Sequence, residues 1–265
     1  SVFRDPVSLM NNILHVTDYL KEQIRAQGGD PQRETLDFVC AKSGEPYFID
    51  SFGEYWRAYH FVEDAYALEE VKDPQDFYQS AVAFGNFQRM LADFPADTLT
   101  ETIAGFHDTK ARFAAFEKAV EEDVCGRAAG VQQEIRFIKD RYDVACVLGD
   151  LLEAGELPLR VTHNDTKSNN VLMDNTTGKG LCVIDLDTVM PGLAVNDFGD
   201  SIRFGASTGA EDEKDLSKIS CDMELYDIYA KGFVEGCGGA LTDMEIECLP
   251  IGAKVMTYEC GMRFL

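Results

Sequence analysis

Acidic and amide side chains crowd around two short apolar strands in the segment 161–203. The predicted strands are Asn170 to Met173 and Leu181 to Leu186, with a hairpin loop, Asn175 to Gly180, between them, and Val161 to His163 precede them as a further short β stretch. A lone buried carboxylate is costly unless its charge is compensated, so packing of a core explains this density poorly. The segment therefore needs a shared cation or a polar substrate.

Three residues of this segment have the spacing of a kinase catalytic loop, His163-x-Asp165-x-x-x-x-Asn170. In such a loop the Asp accepts the proton of the acceptor hydroxyl and the Asn ligates Mg²⁺. Asp185 follows at the end of the next strand, where a kinase has its main Mg²⁺-binding Asp. Because Mg²⁺ takes oxygen ligands and bridges phosphate oxygens near the base, we expect the hairpin to deliver Asn170 and Asp185 to one end.

The segment resembles the catalytic motif of the aminoglycoside phosphotransferase and choline kinase superfamily, and it is most similar to that of bacterial N-acetylhexosamine 1-kinases. The resemblance is carried by three runs, HNDTK at 163–167, DLDTVMPG at 185–192 and DFGD at 197–200. It implies a bilobal, protein-kinase-like α+β fold, ATP as phosphate donor with Mg²⁺, and phosphorylation of a sugar hydroxyl, namely the anomeric position of an N-acetylhexosamine.

The resemblance also implies roles for single residues. Asp165 is the base, Lys167 contacts the transferring phosphate, and Asn170 and Asp185 ligate Mg²⁺, while Asp187 can help with a second metal. The competing interpretation is that these side chains only cap loops and form turns, as Asn and Asp do routinely, and that Lys167 is merely solvated. His163 and Asp197 are expected to support the catalytic loop, and Asp200 has no assigned role.

The rest of the chain predicts a small α+β lobe followed by a larger, mostly helical lobe. Apolar residues at helical spacing indicate a first helix, and short aromatic or β-branched runs between turn formers indicate antiparallel strands. The predicted helices are 6–26, 74–94, 108–125, 131–154, 212–236 and 242–264, and the predicted strands of the small lobe are 36–40, 47–49 and 55–62. The lobes are predicted as 1–62 and 63–265, with the joint near residues 63–65.

In kinases the joint between the lobes binds adenine through main-chain groups, so Phe61, Val62 and Glu63 are the candidate nucleotide contacts. An aromatic-rich strand that simply packs in the core is the competing interpretation. The resemblance also implies a Gly-rich nucleotide loop and a phosphate-pairing Lys before the first helix, and neither is found in the sequence. We therefore expect a longer parent protein.

Charge and composition narrow the function further. The net charge of −23 repels nucleic acids and membrane surfaces, so neither is expected as a partner, and the expected partners are ATP and a sugar. No run of 18 apolar residues and no secretory signal occurs, which predicts a cytoplasmic protein. The cysteines are scattered without a CxxC pair, so a metal cluster or a disulfide framework is not expected.

Several other functions remain open at this point. Aminoglycoside, choline-like and homoserine-like kinases are alternatives within the enzyme class, and an acidic site would suit a cationic acceptor. Arg203 would repel a polycation, whereas Asp187 and Asp200 would attract one. A catalytically silent nucleotide-binding module and a metal-dependent hydrolase built on Asp185 and Asp187 are the alternatives from other classes.

Overall fold

The computed structural model describes residues 5–68, 71, 73–209 and 213–265. Residues 1–4 of the predicted small lobe and residue 212, where a helix was predicted to begin, lie outside this part. The helices are α1 Pro6–Ala26, α2 Pro74–Met90, α3 Thr109–Glu122, α4 Gln132–Lys139, α5 Tyr142–Glu153, α6 Ala194–Gly205, α7 Met223–Cys237 and α8 Asp243–Phe264. The strands are β1 Phe38–Val39, β2 Phe48–Ile49, β3 Tyr55–Trp56, β4 Ala58–Tyr59, β5 Ala65–Ala67, β6 Arg160–Thr162, β7 Val171–Asp174, β8 Gly180–Val183 and β9 Met190–Gly192.

Helices and small antiparallel sheets together confirm the predicted α+β class. Strand β1 pairs with β4 and β2 with β3 at the amino-terminal end, while β5, β7 and β8 form one sheet and β6 pairs with β9. Strand β5 follows the predicted joint directly, and its Ala65 lies opposite Asp174 of β7. The amino-terminal strands therefore lead straight into the sheet that contains two strands of the segment 161–203.

Helix α1 shows how the sequence sets the local structure. Asp5 accepts hydrogen bonds from the amides of Val7 and Ser8, and Pro6 occupies the first turn, where its missing N–H costs nothing. The apolar positions of the helix form a buried stripe that joins the main core. Asn12 interrupts this stripe, and its amide is satisfied by the backbone of Thr100 and by the carbonyl oxygen of Val189. Helix α1 is thereby fixed to the loop that precedes β9.

Two pairs of helices approach so closely that glycine is required where they meet. A Cβ at position 236 of α7 would lie 2.3 Å from the Val82 carbonyl oxygen of α2, and a Cβ at position 199 of α6 would lie 2.3 Å from the Gly252 carbonyl oxygen of α8. Because glycine has no side chain, the backbones come into contact at these positions. The pairs α2–α7 and α6–α8 therefore form the helical framework that holds the segment 161–203.

The structure corrects several element boundaries. The predicted helix 131–154 is two helices, α4 and α5, because the backbone tightens at Arg141, whose amide bonds to the carbonyl of Ile138 three residues earlier. The predicted strand 55–62 is interrupted at Arg57, so that β3 and β4 pair with different strands. The turn 168–170 holds Asn170 just before β7, and Asp185 follows the end of β8, so neither residue lies within a strand.

Replacing Gly236 with Ala tests the close helix packing. Because the new methyl group would meet the backbone of α2, where no side chain can move away, we expect a loss of roughly 1–3 kcal/mol in the free energy of unfolding. Gly149 of α5 is the matched control, since no atom lies within 4 Å of an added Cβ there. Gly149→Ala should be neutral or should stabilise by up to about 1 kcal/mol through helix propensity. Urea denaturation of both variants measures the difference, and equal unfolding free energies would contradict the packing argument.

Candidate active site

The candidate catalytic loop, residues 163–170, begins where β6 ends and finishes in the short turn before β7. Asn164 has a φ of 64°, a left-handed conformation that Asn tolerates better than most residues. Its side chain donates to the carbonyl oxygens of Thr162 and Thr188, and Thr188 in turn donates to the carbonyl oxygen of His163. Short polar side chains therefore fix the sharp bend that presents Asp165.

Asp197 of α6 holds the start of this loop. Its carboxylate is fully buried and accepts hydrogen bonds from the amides of His163 and Asn164, at 2.9 and 2.8 Å, and from the side chain of Gln88 at 2.9 Å. Burial raises the pKa of Asp197, and these donors, together with the nearby His163, oppose the rise. The predicted loop-supporting residue is therefore bound directly to the loop backbone, while Gln88 of α2 was not anticipated.

A second set of bonds holds the middle of the loop. The amide of Thr166 donates to Asp200, and the Thr166 hydroxyl donates to the carbonyl oxygen of Asp197. Ser201 donates to the carbonyl oxygen of Thr166 and accepts from the buried Tyr229 hydroxyl of α7. Asp200, which had no role from the sequence, thus supports the loop, and its place one helical turn after Asp197 was the available signal.

His163 connects the loop to the end of β8. Its buried ring accepts from the amide of Asp165 at Nδ1, and Nε2 lies 2.8 Å from the carbonyl oxygen of Ile184. Both contacts are satisfied when Nε2 donates and Nδ1 accepts. The side chain is therefore directed away from solvent and towards the backbone on either side of the site.

Asp165, Lys167 and Asn170 lie together at the end of the loop. The Lys167 ammonium is 3.4 Å from one carboxylate oxygen of Asp165, and both side chains are about one-third exposed, at 34% and 31%. The Asn170 amide nitrogen donates to the main-chain oxygen of Asp165 at 2.8 Å and lies 3.3 Å from its second carboxylate oxygen. The carboxylate is thus oriented by two neighbours and remains accessible to a hydroxyl group.

Asp185 reaches the same end of the hairpin as Asn170. Val171 is paired with Val183, and the Ile184 amide donates to the carbonyl oxygen of Asn170, so the residues that flank the two strands are neighbours. Asp185 has a left-handed φ of 58°. Burial raises its pKa, and the negative charges of Asp187 and Asp165 raise it further. Both effects indicate a carboxylate that would be stabilised by a cation.

Asp187 is placed differently, because it is paired with an arginine. Its Oδ1 atom lies 2.5 Å from Nη1 of Arg57, which sits between β3 and β4. Within the described part of the chain, no group of three His, Cys, Asp or Glu side chains is arranged to hold a metal ion. The donors fit Mg²⁺ none the less, since this ion is commonly held by one or two carboxylates with phosphate oxygens and water completing its shell.

The candidate adenine contacts lie in the connection between β4 and β5. Phe61 is 77% exposed, Val62 is buried and Glu63 is exposed. The Arg33 guanidinium donates to the carbonyl oxygen of Glu63 and pairs with Asp174 at the end of β7. This connection is therefore anchored to the catalytic hairpin, and it presents an aromatic side chain to solvent.

An accessible carboxylate on a clamped loop, an amide beside it and carboxylates after the following hairpin form the arrangement expected of a small-molecule kinase with the protein-kinase-like fold. The sequence pattern of the phosphotransferase enzyme family matches residues 30–228, which is more than half of the chain. The chain belongs to this family. It is a kinase that transfers phosphate to hydroxyl groups.

Solved structures support the fold. The chain is similar to an amicoumacin kinase in complex with AMP-PNP and Ca²⁺ (12% identity, TM-score 0.59, covering 99% of this chain and 72% of that one). It is also similar to a choline kinase from Cryptosporidium parvum (12% identity, TM-score 0.55, covering 99% of this chain and 72% of that one). A third similar structure is a microcompartment-associated aminopropanol kinase (13% identity, TM-score 0.52, covering 98% of this chain and 80% of that one). At these identities the likeness establishes the fold. Among the described helices, none is both long and apolar enough to cross a membrane.

The raised pKa of Asp185 predicts how stability depends on pH without metal. Because its folded-state pKa lies above the unfolded value, ionisation favours the unfolded chain, so this group's stabilising contribution is lost as pH rises through the folded pKa. In EDTA, Asp185→Asn should therefore raise the melting temperature at pH 7 and have little effect below about pH 4.

Asp174 is the control of opposite sign. Hydrogen bonds from the amide and hydroxyl of Thr177 lower its pKa to about 2, so its contribution is present at neutral pH and is lost as pH falls. Asp174→Asn should therefore lower the melting temperature at pH 7. A lower melting temperature for Asp185→Asn at pH 7 in EDTA would contradict the prediction, because it would show that the fold stabilises the ionised form of Asp185.

Proposed function

We propose that this chain uses ATP and Mg²⁺ to phosphorylate the hydroxyl group of a neutral sugar, namely the anomeric hydroxyl of an N-acetylhexosamine. Asp165 orients and deprotonates the hydroxyl. Lys167, two residues later, neutralises charge on the transferring phosphoryl group. The accessible Asp165 carboxylate, held between Lys167 and the Asn170 amide, supports these roles.

Asn170 and Asp185 would hold the metal. The Asn170 nitrogen is directed at Asp165, which leaves the amide oxygen available as a ligand, and the Asp185 carboxylate is the one whose pKa is raised by burial and by neighbouring negative charge. When bound, Mg²⁺ would screen the charge of the nucleotide phosphates. His163 and Asp197 act by keeping the loop in place.

We assign the nucleotide to the junction between the predicted lobes, residues 1–62 and 63–265. Phe61, Val62 and Glu63 would contact the adenine. The exposed Phe61 ring offers a stacking surface, and the connection is held at Glu63 by Arg33. The acceptor would then lie on the other side of the Asp165 loop, towards the segment after α6, since in-line transfer needs the hydroxyl opposite the leaving oxygen.

One observation favours a neutral acceptor over a polycation. Asp200 accepts from the Thr166 amide and pairs with Arg203 at 3.0 Å, and Asp187 pairs with Arg57. The two carboxylates that would attract a polycation already have partners. A polycationic aminoglycoside needs several clustered carboxylates to compensate its charge, whereas a sugar needs hydrogen-bonding groups.

A cationic acceptor is the second candidate. The net charge of −23 would concentrate amines near the surface, and the structures to which the chain is similar include a choline kinase and an aminopropanol kinase. These relations are too distant to transfer a substrate, and both acceptor classes are therefore tested together.

Asp165→Asn tests the assignment of the base. Because a general base acts on the transition state, kcat should fall by roughly two or more decades while the Kd for ATP changes little. Steady-state kinetics on an accepted substrate and nucleotide binding by calorimetry measure the two quantities. An unchanged kcat would remove Asp165 from this role.

The acceptor can be identified by phosphorus NMR of products. N-acetylglucosamine, N-acetylgalactosamine, kanamycin, choline and homoserine are incubated separately with the protein, ATP and Mg²⁺. We expect an anomeric phosphate from an N-acetylhexosamine, because the acidic groups beside the loop are already paired. Phosphorylated kanamycin or choline alone would favour the cationic acceptor. ATP binding without any phosphorylated product would favour a silent nucleotide-binding module.

A further inference from the structure

Arg33 connects three parts of the chain that lie around the proposed nucleotide site. It lies in the turn after α1, where its amide donates to the carbonyl oxygen of Asp30. Its Nη2 atom donates to the carbonyl oxygens of Glu63 and Asp64, at 3.1 and 3.5 Å, and lies 3.1 Å from Oδ2 of Asp174. One nitrogen atom thus joins the turn after α1, the connection between β4 and β5, and the hairpin.

The three acceptors that meet at Nη2 of Arg33 repel one another. Two are carbonyl oxygens, and the third belongs to a carboxylate that is ionised at neutral pH. Hydrogen bonds from the amide and hydroxyl of Thr177, and then the contact with Arg33, lower the pKa of Asp174 to about 2. Because a guanidinium stays protonated at any ordinary pH, it compensates these oxygens permanently. Without it, repulsion would separate the connection from the hairpin.

The contact with Arg33 lies next to the proposed adenine contacts. The backbone of the connection is held at its carboxyl-terminal end, where β5 pairs with β7. Within the described part of the chain, the amide and carbonyl groups of Phe61 and Val62 make no backbone hydrogen bond. These groups can therefore bind a base. Apart from the buried Val62 side chain, the bond from Arg33 to Glu63 is the nearest restraint on their position.

Strand β7 converts this contact into a fixed distance. Asp174 is the last residue of the strand, whereas Asn170, a proposed metal ligand, directly precedes its first residue. Four steps of about 3.3 Å place these two residues roughly 13 Å apart. Because β7 is paired on both sides, with β5 and with β8, it is a stiff spacer. Arg33 therefore sets where residues 61–63 lie relative to the proposed metal ligand.

We propose that Arg33 is a positioning residue for the nucleotide, which holds the adenine contacts at the distance that lets the base and the phosphates of one ATP molecule bind together. This inference rests on the proposed function, because it assumes that residues 61–63 contact the adenine and that Asn170 and Asp185 hold the metal. Arg33 acts through the connection and not by contact with the phosphates. Its loss should therefore weaken the contribution of the adenosine to binding and leave that of the phosphates unchanged.

Two ligands separate these contributions. AMP-PNP contains adenosine and a phosphate chain, whereas inorganic tripolyphosphate is a phosphate chain alone, and calorimetry in the presence of Mg²⁺ measures the Kd of each. Arg33→Met keeps the apolar stem and removes the charge. We expect it to raise the Kd for AMP-PNP about tenfold, as the loss of a charged hydrogen bond that holds the site would. The Kd for tripolyphosphate should not change.

Two further variants are the controls. Arg25→Met removes the same charge from an exposed position on α1 and should change neither Kd. Asp174→Asn keeps an oxygen for the amides of Thr176 and Thr177 but loses the charge that pairs with Arg33. It should raise the Kd for AMP-PNP by less than Arg33→Met does. Combining it with Arg33→Met should give no further rise, because both changes act on one contact.

The outcomes distinguish this inference from the proposed function. Equal rises for the two ligands in Arg33→Met, or no rise for AMP-PNP, would overturn the role of Arg33 and leave the kinase assignment intact. If circular dichroism shows that Arg33→Met is unfolded, an unchanged Kd for AMP-PNP in Asp174→Asn would overturn it. Wild-type protein that binds AMP-PNP no more tightly than tripolyphosphate, or equally well without Mg²⁺, would instead contradict the proposed nucleotide and metal sites.

Discussion

The buried Asp197 carboxylate is the interaction on which the candidate active site depends. Two consecutive loop amides, those of His163 and Asn164, converge on it together with Gln88. Burying a carboxylate is tolerable because charge-assisted hydrogen bonds from fixed donors replace its hydration. The same bonds leave the loop little freedom just before Asp165. One arrangement thus compensates the buried charge of Asp197 and fixes the position of Asp165, the proposed base.

The helical framework makes this arrangement possible. Asp197 can face the loop only if α6 keeps a fixed position relative to it. Gly199 and Gly252 allow α6 to pack so closely on α8 that the two backbones are in contact. From the other side, the Tyr229 hydroxyl of α7 bonds to Ser201, which bonds to the loop at Thr166. Packed interiors deform little. The positions of the helices therefore determine the position of the loop, even where the helix contacts lie far from Asp165.

Much of the site could be predicted because its information is local in the sequence. The spacing from His163 to Asn170 and the hairpin leading to Asp185 require only a loop and two strands. Gln88 and Arg57 could not be found in this way. Their partners, Asp197 and Asp187 respectively, are each more than a hundred residues away in the chain. The short amino-terminal strands were placed approximately, because two-residue strands are too brief for alternation to fix their ends.

In the proposed function, the choice of acceptor depends on local ion pairs more than on the net charge of the protein. At physiological ionic strength a charge is largely screened beyond about 8 Å. Most of the net charge of −23 therefore affects how ligands approach the protein and has little effect on how they bind in the site. Within the site, Lys167, Arg57 and Arg203 each lie beside a carboxylate. The local field is therefore much weaker than the composition suggests. The proposed ligands, a neutral acceptor and a negatively charged phosphate donor, match this distribution, because the cations lie around the loop 163–170 and the end of the hairpin next to Asn170 and Asp185.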